Sequence, residues 1–142
     1  MEDKLVNILL VEDDSVDVIN VQRAFRKNNI QNPLVLAKNG LEALNMLRGT
    51  NGFEKINPQP QIILLDLNMP QMNGIEFLKE LRQDPILRTA SVFVMTTSND
   101  DKDRMDAYNL NVAGYILKPV SFEKFASAVS TLNSYWKLCE HA

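Results

Sequence analysis

Five positions in this chain carry polar chemistry at the ends of apolar runs: Glu12 and Asp13 after Ile8-Leu9-Leu10-Val11, Asp66 after Ile62-Ile63-Leu64-Leu65, Thr96 after Val92 to Met95, and Lys118 after Tyr115-Ile116-Leu117. Runs of Ile, Leu and Val that are apolar at consecutive positions read as strands buried on both faces, so a charge at the carboxyl end marks where each strand leaves the core. In an open parallel sheet those ends share one edge, where α/β folds place their ligands. Carboxylates from Glu12, Asp13 and Asp66 that converge there repel one another unless a cation sits among them. Their oxygen ligands suit a hard ion such as Mg2+, and no Cys or His stands beside them in the sequence to suggest zinc. The Lys118 stem can run along the sheet edge and bring its ammonium to an anion beside Asp66, and the Thr96 hydroxyl can donate to an oxygen of that anion. Taken singly, each is also what an ordinary solvated strand end carries; their common register is what points to chemistry.

The elements that must position these groups follow from the pattern. Strands are predicted at Asn7 to Glu12, Pro33 to Ala37, Ile62 to Leu65, Ser91 to Met95 and Gly114 to Lys118, with room for a helix after each. Val18, Val21 and Phe25 mark one helical face, Ala43, Leu44 and Leu47 a second, and Phe77, Leu78 and Leu81 a third. A fourth helix, Asp101 to Leu110, offers Met105 and Tyr108 among Lys102, Asp103, Arg104 and Asp106, so thin and mobile cover is expected there. The last helix starts at an N-cap, Ser121, and carries Phe122, Phe125, Ala126, Val129, Leu132 and Trp136 at helical spacing. Gly49 to Gln61, with Gly52, Pro58 and Pro60, reads as a surface loop. Right-handed crossovers put helices on both faces, which gives a doubly wound five-stranded parallel α/β domain.

With 142 residues, 45% of them hydrophobic, the chain suits one domain over 1–142. A net charge of -3 argues against electrostatically driven nucleic-acid binding. The single Cys139 excludes an intrachain disulfide, and the apolar run after the charged amino terminus is too short for a signal peptide or a membrane span, so a soluble cytoplasmic protein is expected.

Leu10-Val11-Glu12-Asp13, the stretch Leu65-Asp66-Leu67-Asn68-Met69-Pro70 with Asn73-Gly74, Thr96-Thr97 and Lys118-Pro119 together resemble the receiver domains of two-component response regulators, from Asn7 to about Leu132. The resemblance implies a flavodoxin-like strand order 2-1-3-4-5. It makes Asp66 the phosphoacceptor, places Mg2+ on Glu12, Asp13, Asp66 and the Asn68 carbonyl, and pairs Lys118 with the phosphoryl group. It also makes Thr96 the switch hydroxyl and Tyr115 the aromatic whose rotamer follows it, although plain strand packing explains Tyr115 equally well. Lys118-Pro119 is where the family often has a cis peptide. Physical logic agrees: a carboxylate can attack phosphorus, and cationic groups neutralise the transferring oxygens. With neither an acid nor a base at Asn68 or Ser98, no unusually fast self-dephosphorylation is expected.

No DNA-binding or catalytic module follows in this sequence, so a stand-alone receiver acting by docking is expected, with a sensor histidine kinase as donor and no further enzymatic activity. The Gly49 to Gln61 loop and a last helix extended over 133–142 are similar to the small regulators that pair with phytochrome-type kinases. Tyr135 and Trp136 are candidate anchors of a homodimer or kinase contact; a Trp136 ring folded back on the core remains open beside that. Passing the phosphoryl group to a histidine phosphotransfer protein is an alternative, as is a binding module that is never phosphorylated, which the intact acidic set opposes. A flavin carrier on this topology would need a phosphate-binding loop where Glu12-Asp13-Asp14 stands, and a small-molecule phosphohydrolase would need an acid where Asn68 stands.

Overall fold

In the computed structural model, which describes residues 6–67, 69, 72–96 and 101–117, β1 (Ile8–Val11), β2 (Leu34–Ala37), β3 (Ile62–Leu65), β4 (Ser91–Thr96) and β5 (Gly114–Leu117) alternate with α1 (Ser15–Lys27), α2 (Gly40–Arg48), α3 (Gly74–Gln83) and α4 (Asp101–Asn109). All pairings are parallel and the order is β2-β1-β3-β4-β5. Each predicted strand is present, displaced by at most one residue at its ends. The continuous apolar runs are explained by two cores. Leu9, Val11, Ile63, Leu65, Val92 and Val94 pack with Ala43, Leu44, Leu47, Phe77, Leu78 and Leu81 of α2 and α3. The alternate residues Ile8, Leu10, Ile62, Leu64 and Met95 pack with Val21 and Phe25 of α1. In β1 and β3 neither pleat faces water, so alternation with polar residues has no place in these strands.

The helix starts are set by side chains. Asp14 accepts from Val16 N and Asp17 N at the head of α1, Asn39 from Glu42 N at α2, and Asn73 from Glu76 N at α3. Each satisfies a first-turn amide that the helix itself leaves unpaired. α2 ends at Gly49, whose φ of 68° is the left-handed geometry a C-cap uses.

α4 corrects one expectation. Met105 and Tyr108, read as its cover of the sheet, are 64% and 49% exposed, and Ala107 is the buried side chain. A helix with so many charges offers no broad apolar stripe, and a methyl allows close approach to the core where a longer side chain would not fit. The thin cover is as expected. The segment from Gly49 to Gln61 carries neither helix nor strand and is mostly exposed, yet it is tethered: Ile56 N donates to Met46 O at 3.0 Å, and the Asn7 amide donates to Pro58 O at 2.7 Å. A cis peptide joins Asn57 and Pro58. Lys118-Pro119, Ser98, the last helix with Ser121, Tyr135 and Trp136, and the stretch 133–142 lie outside the described residues. Among those described, no helix is long and apolar enough to cross a membrane.

Candidate functional site at the carboxyl edge

Register brings the acids together. Val11 of β1 pairs with Ala37 on one side and Leu65 on the other, so the residues that follow, Glu12 and Asp66, leave the sheet level with each other. Two further backbone bonds hold that exit, from Glu12 N to Ala37 O at 3.0 Å and from Asp66 N to Val11 O at 3.1 Å. Glu12 and Asp66 are 3% and 7% exposed, while Asp13 faces solvent. Carboxylate oxygens of all three lie within 4.8 Å of one another.

Two nearly buried carboxylates and a third at the rim form an all-oxygen donor set, which fits a hard divalent cation and lacks the sulfur or nitrogen that zinc prefers. The Glu12 carboxylate also accepts from Asp14 N at 3.2 Å. Because α1 begins at Ser15, its N-terminal partial charge lies close to the acids and offsets part of their repulsion. Asp14 itself is used differently: its carboxylate caps α1. The sequence carried that signal, an acid immediately before an apolar period, but it lay hidden beside two acids of another role.

Thr96 closes β4, the neighbour of β3, and is fully buried. Tyr115, paired in register with Val94, is half-buried against the α2 and α3 core. Its ring meets Tyr108 of α4 at a centroid distance of 6.5 Å, and Arg104 Cζ stands 5.5 Å from its centroid. That cation–π contact across α4 and β5 was not readable from sequence, since it depends on how α4 sits on the sheet. Asn68 and Lys118 lie outside the described residues.

A doubly wound sheet of order 2-1-3-4-5 with an acidic cluster at the β1 and β3 exits is an α/β domain whose carboxyl edge could hold a divalent cation. Residues 8–130 match the family model of the response regulator receiver domain. The chain belongs to that family. It is 36% identical to response regulator Rcp1 of Synechocystis sp. over 129 residues, covering 91% of this chain and 87% of Rcp1. The crystal structure of Mn(2+)-bound Rcp1 superposes with a TM-score of 0.73 at 34% identity, covering 92% of this chain and 94% of that one. A two-component response regulator from Legionella pneumophila is 42% identical with a TM-score of 0.80, over 92% of this chain and 98% of the other. The phosphorylated cyanobacterial phytochrome response regulator RcpA gives 31% and 0.77, over 94% and 95%.

Proposed function

We propose that this receiver, a cytoplasmic protein, takes a phosphoryl group from the phosphohistidine of a sensor histidine kinase of phytochrome type onto Asp66, and signals by changing the surface it offers to protein partners. The observation that carries the reading is the nearly buried Asp66 carboxylate with Glu12 and Asp13 within 4.8 Å at the edge where the strands end. In the transfer, an Asp66 carboxylate oxygen forms the new bond to phosphorus as the bond to the donor histidine nitrogen breaks. Glu12, Asp13 and Asp66 would hold a divalent ion, Mg2+ in this proposal, whose charge neutralises the phosphoryl oxygens. Asp66 is held in line by its own backbone, bonded to β1. Lys118 pairs with the phosphoryl oxygens and the Asn68 carbonyl completes the metal ligands in the same proposal.

The added group carries up to about two negative charges, enough to bias a two-state element. Thr96 is the hydroxyl it re-aims, and Tyr115, whose ring lies 5.5 Å from Arg104 Cζ, is the side chain that follows. The pairing with a phytochrome-type kinase is supported by the likeness to Rcp1 and RcpA.

The test is incubation with Mg2+ and acetyl phosphate, followed by intact mass, with Asp66→Asn as control. One phosphoryl adduct that requires both Mg2+ and Asp66 is expected; a folded protein that gains none would overturn the reading. Transfer from acetyl phosphate but not from a phosphorylated phytochrome-type kinase would remove the pairing and leave the phosphoacceptor.

A further inference from the structure

At the head of α3, Gly74 N donates to Leu67 O at 2.9 Å. Two glycines allow close backbone approaches here. A Cβ at Gly74 would stand 2.7 Å from Asp66 O and 2.6 Å from Leu67 Cα, so α3 starts in direct contact with the backbone of the phosphoacceptor. From the other side, a Cβ at Gly40 would stand 2.8 Å from Met72 O, 3.0 Å from Phe77 Cβ of α3 and 3.1 Å from Met72 Cγ. Both are first residues of helices that are themselves fixed, through the Asn73 and Asn39 caps. Met72 has a φ of 75°, a left-handed conformation that is strained for a residue with a Cβ and persists only where neighbours over-determine it. Gly40 supplies part of that determination, because α2 begins directly against the Met72 carbonyl.

We propose that Gly40 is a positioning residue for the metal site: by seating α2 against the Met72 carbonyl it fixes the Met72-Asn73-Gly74 entry into α3, which packs against the Asp66 backbone. The proposal rests on the reading of Glu12, Asp13 and Asp66 as a divalent-metal site, and it gives Gly40 no contact with the metal or the phosphoryl group. A methyl at Gly40 would displace backbone, not the tip of a flexible side chain, and groups that orient ligands from outside the metal sphere are worth roughly 10–100-fold in metal affinity.

Mg2+ affinity of the full chain, measured by calorimetric titration, tests it. Gly40→Ala is expected to bind Mg2+ roughly tenfold or more weakly than the wild type. Leu47→Ala, which opens a cavity in the buried far turn of the same helix, is expected to lower stability and leave the affinity unchanged. Wild-type affinity in Gly40→Ala, or equal losses in both variants, would overturn the positioning role. A wild-type chain that binds no Mg2+ would instead reject the metal reading, and the proposal with it. Should Gly40→Ala fail to fold, hydrogen exchange of the wild type decides, because coupling between two places is reciprocal. Mg2+ should then slow exchange at the amides of Glu42 and Ala43 in the first turn of α2 along with Gly74, and exchange at the α2 amides indifferent to Mg2+ refutes the idea.

Discussion

Replacing Asp66 by Asn should make the metal-free protein more stable, although it removes the proposed phosphoacceptor. Glu12 and Asp66 are both nearly buried, and their carboxylate oxygens lie within 4.8 Å. At that separation two unit charges repel by about 3.5 kcal/mol at an effective dielectric of 20. The exposed Asp13 adds little after solvent screening. Part of the repulsion is already offset by the N-terminus of α1, by the Asp14 N–H bonded to Glu12 and, in the proposed site, by the Lys118 ammonium, and the Asn amide needs new partners, so a net gain of about 1 kcal/mol is expected. For a domain of this size that raises the melting midpoint by roughly 2–5 °C. The assay is thermal unfolding followed by circular dichroism, with EDTA and then with excess Mg2+. Binding at a hundredfold excess over Kd stabilises the wild type by about 2.7 kcal/mol, so Mg2+ should close or reverse the gap. If the Asn variant melts at or below the wild-type midpoint in EDTA, the carboxylates are not in costly opposition. If Mg2+ raises both midpoints equally, Asp66 is not a ligand.

Arg82 of α3 donates to four backbone carbonyls, Leu110, Asn111, Arg88 and Ala90, at 2.7–2.9 Å, joining α3 to the loops before β4 and β5. Arg82→Ala strands those acceptors and should cost about 3 kcal/mol in urea unfolding; Arg82→Lys should recover only part, for want of a planar fork. Recovery to wild type by Lys would refute the geometric reading. Asp84, after α3, has its carboxyl held below the usual range, chiefly by the Ile86 N–H and further by Leu87 N–H and Arg48. A depressed folded value means the stabilisation is present above the unfolded value and is lost as pH falls through the folded one. Asp84→Asn keeps an acceptor for both amides but cannot ionise. Its deficit against wild type in urea midpoints should therefore be present at neutral pH and shrink on acidification below pH about 4. A deficit independent of pH would rule this out.

The apolar runs by themselves determined the five strands, their parallel character and the edge where Glu12, Asp13, Asp66 and Thr96 emerge. A strand buried on both faces has one workable composition, and a right-handed crossover has one hand. The helices with a clear period, α1 to α3, were legible for the same reason, because each buries a stripe wide enough to show in the sequence. α4 was less legible: one alanine does its packing, and no period reveals which residue that is. Only the tertiary structure decided what depends on contacts between segments distant in sequence. Those are the 4.8 Å gathering of the acids, the division between Asp14 as a cap and Asp13 as a site residue, the Arg104–Tyr115 contact, and the approach of Gly40 to Met72. Each is a distance set by how rigid elements pack, and residue type specifies such distances only jointly, through the whole core.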